Sequence, residues 1–315
     1  MSLKNAFHEI AVKKASKQAV VVDALLEKAP LLDGIPMEPS SGGLFNTYEE
    51  QTEVTGADLV DLDDVLPEVN STSKLKQVGL SPIGGTIKVG LDKAKAYPGG
   101  ATQYFADKMP SILKSTGMSI EKSIFYNSFR AYAADNTNLL DAGGSGSTNY
   151  SIICVQYSTG EINGLYDPNG FGNGKMFDII PLNGGQVFEN SDGVLVRGMA
   201  LKNYLGMQLA NPYYVSGIVN ADIVSDDLTG TRTFPTEMMF DDMILNARGD
   251  AASTVIYCHP KVLNYLFNYK GDKLYIIPEN KTFDRQIASW NGIPIVQTYN
   301  ATNGTEAQVT SGLIT

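Results

Sequence analysis

Cysteine and histidine are scarce, two of each in 315 residues. A closed zinc site takes four Cys or His ligands, so it would have to gather all four from across the chain, and no Cys-x-x-Cys spacing brings any two together. Cys154 and Cys258 each sit in an apolar, strand-like run, residues 152–155 and 255–258, which predicts buried reduced thiols; a single bridge between them is the alternative. Cations are also a minority: 24 Lys and Arg against 34 Asp and Glu give a net charge of -10. Affinity for phosphate rests on clustered Lys and Arg, so this balance excludes nucleic-acid binding by the molecule as a whole and leaves only local contacts. Long apolar runs are missing too. The one N-terminal stretch, residues 19–26, is broken by Asp23 and followed by no small-residue cleavage site, and nothing reaches the roughly 18 apolar residues of a membrane helix. The expected compartment is reducing and aqueous.

The chain does have length, glycine and order. Its 315 residues suffice for roughly two compact units, an apolar content of 43% marks a folded protein, and 31 Gly imply many tight turns. Lys4, Lys13, Lys14 and Lys17 make the first 45 residues a locally basic arm, in which Ala19, Val22, Leu25, Leu26 and Ala29 follow helical spacing until Pro30. Residues 33–43, rich in Gly and Pro, read as an extended linker. From Glu49 to Glu68 the charge inverts, with Asp58, Asp61, Asp63 and Asp64 among eight carboxylates and no cation. The spacing there lacks the glycine and the late Glu of a calcium loop, so the stretch reads as a solvated acidic face or a subunit contact opposite basic residues. Residues 74–80 and 86–91 alternate polar and apolar around Ser81-Pro82-Ile83-Gly84-Gly85, which predicts a two-stranded hairpin. With one apolar face and little to pack on, such a hairpin is marginal alone and is expected to lie on something else.

Two helical segments are expected next, residues 102–109 and 119–134, separated or kinked at Pro110 and Gly117; Ile120, Ile124, Phe125, Phe129, Tyr132 and Ala133 form the core stripe of the second. A Gly-Ser joint at residues 141–147 marks the main boundary. Beyond it come short strands, helical periodicity at 235–246 and 260–267, and a last strand at 292–297. Without a repeating strand-helix-strand rhythm, the fold class is α+β.

Catalytic patterns fail one by one. The run Gly170-Phe171-Gly172-Asn173-Gly174-Lys175 has neither the spacing nor the Ser or Thr of a phosphate loop. Ser145 lacks the strand and the final Gly of a nucleophile elbow. His259 precedes Pro260 at a strand-to-helix turn, where a capping role is expected, and Cys258 beside it points to the opposite face. No cofactor, metal or catalytic residue is assigned.

The carboxyl half carries a recognisable succession: Ser151-Ile152-Ile153-Cys154-Val155, Gly164-Leu165-Tyr166-Asp167-Pro168-Asn169-Gly170, Arg197-Gly198-Met199-Ala200-Leu201-Lys202-Asn203-Tyr204 and Ala210-Asn211-Pro212. In this order it resembles the major capsid proteins of short-tailed bacteriophages of the epsilon-15 type, with residues 292–298 and 305–310 similar to that family's terminal strand pair. The sequence departs in having no basic residue before Ala210-Asn211. The resemblance implies the HK-97-type capsid fold: an arm at 1–45, an extended hairpin loop at 46–96, a peripheral domain with a spine helix at 97–144 and 293–315, and an axial domain at 145–292.

It also implies a structural protein, not an enzyme, that assembles in the host cytoplasm into pentamers and hexamers of an icosahedral virion shell around double-stranded DNA. Scaffolding protein, portal and a decoration protein are the other expected partners, with no membrane and no small-molecule substrate. On this view Lys74, Lys76 and Lys88, with Asp61, Asp63 and Asp64, are intersubunit contacts, and Gly42, Gly43, Gly99, Gly100, Gly143 and Gly144 are hinges. A nanocompartment shell of the encapsulin type is the alternative within the fold; a soluble carbohydrate-binding or hydrolytic protein is the alternative outside it.

Overall fold

Pro30 begins a helix in the computed structural model, which describes residues 29–60, 65–97, 100–168, 178–223, 233–269, 274–278, 286–301 and 304–314. Pro is suited to the first turn, where its missing N–H has no intrahelical partner to lose; the helical spacing expected ahead of it lies outside the described residues but for Ala29, which is not helical. The helix, α1 (Pro30–Gly34), buries Leu31 and Leu32, and the next residues form β1 (Met37–Pro39). Residues 33–43 are therefore docked on the body and are not a free linker.

After β1 come β2 (Phe45–Thr55), β3 (Asn70–Gly79), β4 (Ser81–Gly90) and α2 (Leu91–Ala96). One long helical run follows, made of α3 (Gly100–Ser123), a π segment (Ile124–Arg130) and α4 (Ala131–Asp135). Then come β5 (Leu139–Asp141), β6 (Asn149–Gln156), β7 (Ile162–Tyr166), β8 (Asp178–Pro181), β9 (Phe188–Glu189), β10 (Leu195–Leu209) and β11 (Val215–Asp222). The chain closes with α5 (Glu237–Asn246), β12 (Thr254–Cys258), α6 (Pro260–Tyr269), β13 (Leu274–Pro278), β14 (Gln286–Trp290) and β15 (Ile293–Gln297). Mixed helix and strand confirm the α+β class.

The expected hairpin of 74–80 with 86–91 does not form. β3 pairs with β2, from Phe45↔Gly79 to Thr55↔Asn70, while β4 pairs over its whole length with β10. Gly84, read as part of a turn, is a mid-strand glycine: a Cβ there would stand 2.8 Å from the Leu201 carbonyl oxygen. It permits close backbone approach, a role that sequence spacing does not distinguish from a turn.

Pro110 and Gly117 interrupt nothing, since both lie inside α3; the buried Met109 and Leu113 on either side fix the helix to the core. Phe105, Met109, Leu113, Gly117, Glu121, Phe125, Phe129 and Ala133 are all buried, at intervals of four residues along the run. The π segment, with its wider i to i+5 turn, carries Phe125 and Phe129, both fully buried.

β1-β7-β10-β4, with β8 and β9 also paired to β10, make one sheet; β13-β14-β15-β12-β6-β11-β5 make a second; β2-β3 stand apart. At the centre of the second sheet β6 and β11 are buried on both faces. Ile153 and Val155 of β6 join the helical run in one cluster, and Ile152 and Cys154 join Phe240 and Met243 of α5 and Val262 of α6 in another. β7 to β10 join β4, whereas β15 joins β12, and β12 joins β6. Of the expected terminal strand pair only β15 is a strand. Residues 305–310 contribute a single bridge, Asn149↔Glu306.

Candidate assembly surfaces

The β2–β3 ribbon leaves the body at its base: Asn46, Tyr48 and Glu50 on one face of β2 are half-buried, with Tyr48 and Glu50 near Tyr132 of α4, and the residues of β2 beyond Glu50 are exposed. At about 3.3 Å per residue its strands, 11 and 10 residues long, reach roughly 35 Å. Its base is tied down by the Leu80 amide, which donates to the Leu44 carbonyl at 2.8 Å, and by Asn46, whose Nδ2 donates to Gln208 Oε1. From Gln51 outward the described residues of β2 are exposed on both faces. Val54 and Leu75 on the strands and, in the joining residues, Leu59, Val65, Leu66 and Val69 are more than half exposed. Burying a Val or Leu stabilises by about 1.5–3 kcal/mol, so leaving six of them in water marks a surface suited to a further contact.

Of the sequence-predicted contact residues, Lys74 and Lys76 fall on this ribbon. Lys76 Nζ lies 2.6 Å from Glu50 Oε2, and that bond raises the Lys76 pKa. Lys74 stands opposite Glu50 in the strand register. The acidic stretch is thus in part the partner strand of the basic one within a single chain. Lys88 lies elsewhere, on β4, with Nζ 3.4 Å from Asn190 Oδ1 and over the Phe188 ring. Asp61, Asp63 and Asp64, Gly99, and Lys4, Lys13, Lys14 and Lys17 lie outside the described residues.

Among the expected hinges, Gly43, Gly100 and Gly143 have positive φ, a backbone state that favours glycine. Gly42 lies against the Phe45 ring. Gly144 is buried against the Asn220 carbonyl and donates its N–H there at 2.9 Å, a fixed position in this conformation.

A second surface runs along the helical run. Lys122, Tyr126, Asn127 and Arg130 face residues 305–309 across an open groove of about 550 Å³. Its floor is Glu306, only 6% exposed. That carboxylate accepts from Tyr126 Oη at 2.5 Å, Arg130 Nη1 at 3.1 Å, the Ser151 amide at 3.2 Å and the Ser151 hydroxyl. Arg130 also stacks over the Tyr126 ring at 4.5 Å. Sequence reasoning missed Glu306, because nothing local distinguishes it from other carboxylates in an acidic chain.

The residues tested for chemistry have structural roles. Cys154 and Cys258 are buried and unbridged, and burial pushes the Cys258 thiol up to about 12 and the Cys154 thiol higher still. His259 is 4% exposed, and its Nδ1 accepts the Lys261 amide at 3.1 Å in the first turn of α6, as a cap does. Burial, and then Lys261, lower its pKa. Among the described residues no group of three or more His, Cys, Asp or Glu is placed to hold a metal ion.

Comparison with solved structures finds the bacteriophage Epsilon15 structure at 18% identity and a TM-score of 0.55, covering 88% of each chain. The bacteriophage JBD30 capsid matches at 10% identity and a TM-score of 0.50, covering 87% of this chain and 91% of that one. This is the HK-97-type fold. No curated protein matches the sequence. Residues 123–310, more than half of the chain, match the family described as major capsid protein GP7. The chain belongs to that family, and as a phage capsid protein it is a structural component of the virion shell, built from copies of itself.

Proposed function

We propose that the β2–β3 ribbon lies across the neighbouring copy in each capsomer and that this contact links copies into pentamers and hexamers of an icosahedral shell around double-stranded DNA. The observation that carries the reading is the ribbon itself: two strands whose outer part is exposed among the described residues, with large apolar side chains left in water. A two-stranded ribbon is marginal alone, and a neighbour that buries Val54 and Leu75 supplies what it lacks. Many modest contacts, each reversible during growth, then hold a closed shell together. The chain acts through surfaces and turns over no substrate.

The glycines with positive φ at the ribbon base (Gly43), at the start of the helical run (Gly100) and after β5 (Gly143) are where copies in pentamers and hexamers would differ. The basic arm is suited to an acidic segment of a scaffolding protein or to phosphate, and the net negative charge keeps the rest of the wall from holding the genome. Portal and decoration proteins complete the expected partners.

Val54→Asp with Leu75→Asp tests the reading. Expressed with its scaffolding protein, this variant should keep the wild-type circular dichroism spectrum and lose at least tenfold in shell yield by sedimentation. Normal yield would rule the ribbon out as an essential contact.

A further inference from the structure

Glu121 is a buried carboxylate with no cationic partner among the described residues. It is 0% exposed, in the last turn of α3 where the π segment begins. Its Oε1 accepts the Leu31 amide of α1 at 3.2 Å, its Oε2 accepts Asn300 Nδ2, and the Thr298 hydroxyl bonds to it as well. Three separate pieces of chain therefore meet at one side chain: the segment that leads out to the basic arm, the long helix, and the turn after β15.

The charged neighbours are unfavourable to an anion. Asp33 comes from α1 itself, and Tyr257 of β12 is near enough to both carboxylates for each to raise its pKa. Tyr257 is in turn hydrogen-bonded to Tyr157 at 2.8 Å. Lys122, next on α3, is exposed. An ionised Glu121 is thus held by neutral donors alone, and a buried charge without a counter-charge is costly. The protonated acid fits the same place. Its carbonyl oxygen still accepts the Leu31 amide, and its proton can go to the Thr298 hydroxyl, which accepts as readily as it donates.

We propose that residues 29–40, the anchor of the basic arm, form a proton-sensitive strap: held firmly on the long helix when Glu121 is protonated and loosened when it ionises. The second half of the strap has its own attachment. β1 adds to β7 in parallel, with Gly164 leaving room for Met37, and Glu38 Oε2 accepts from Asn163 Nδ2 at 2.6 Å. Loosening therefore starts at α1, where the Leu31 amide is the direct reporter, and reaches β1 after it.

The sign follows from linkage. Burial raises the Glu121 pKa above its value in the opened strap. Docking is then fully favoured below the ordinary glutamate range and is lost as pH rises through the docked pKa.

Amide hydrogen exchange of the full-length chain from below the ordinary glutamate range up to pH 8, corrected for intrinsic rates, tests this. Protection of Leu31 and of residues 37–40 should fall by about tenfold for each pH unit between the opened and docked pKa values. Protection in β6 should stay constant as the internal reference. In Glu121→Gln, which keeps an acceptor and never ionises, strap protection should be independent of pH. A flat wild-type profile at Leu31, or a Glu121→Gln profile that still falls with pH, would overturn the proposal. If the variant fails to fold, the wild-type profile decides alone.

Discussion

Asn220 brackets Val309: its Oδ1 accepts the Val309 amide at 2.7 Å while its Nδ2 donates to the Val309 carbonyl at 2.8 Å. The same Nδ2 reaches Asp141 Oδ1 at 2.8 Å, and Asn220 itself has φ of 59°, at the irregularity in β11. One side chain thus stands in for the strand ladder that residues 305–310 lack. Asn220→Ala leaves two backbone groups of the C-terminal segment unpaired and adds strain at positive φ, and should destabilise by about 2–4 kcal/mol. Asn220→Gly relieves the strain alone, so its loss should be smaller. Urea unfolding of both variants measures the difference, and equal losses would show that strain has no part in it.

Glu306 and Arg130 form a pair in which one member is buried and the other half-exposed. Removing the buried partner takes away the acceptor shared by Tyr126, Arg130 and Ser151, so Glu306→Ala should cost about 3–5 kcal/mol. Arg130→Ala, which strips one donor at the rim, should cost less. A double-mutant cycle measured by denaturant unfolding should give a coupling of about 1 kcal/mol or more. Additive losses would show that the ion pair contributes little beyond the other bonds.

His259 gives the fold an acid-sensitive element. Its pKa in the folded chain is lowered, so its contribution is present above the ordinary histidine range and is lost as pH falls through the folded value. The melting temperature should therefore drop between pH 7.5 and pH 5. His259→Asn, which retains a cap acceptor for the Lys261 amide, should show a shallower drop over the same window. Identical pH profiles would assign the acid sensitivity to other groups.

Both thiols should be silent in the native protein. Their burial and raised pKa values predict no reaction with a thiol reagent at pH 8 and two equivalents after denaturation. One equivalent in the denatured chain, or a fast native reaction, would contradict the buried, unbridged assignment.

What the sequence disclosed was mostly local. β6 and β15 were legible from their apolar runs, α5 and α6 from periodicity and from Pro260, and the His259 cap from the turn it occupies. Pairing across long separations was not. β3 looks forward to the alternating residues of β4, yet it folds back on β2 across the acidic stretch, and β4 finds its partner more than a hundred residues later in β10. The β-branched and aromatic residues of β2, with Glu50 set against Lys74 and Lys76, were a usable signal hidden by the charge count. Glu121 and Glu306 left no local mark, because each draws its partners from segments far away in the chain.

The central claim is that the exposed ribbon lies on a neighbouring copy, and a cryo-electron microscopy reconstruction of the assembled shell tests it most directly. The account predicts density for β2 and β3 running across the adjacent subunit, with Val54 and Leu75 buried there. A ribbon folded back on its own subunit, or projecting free with those side chains still in solvent, would contradict it.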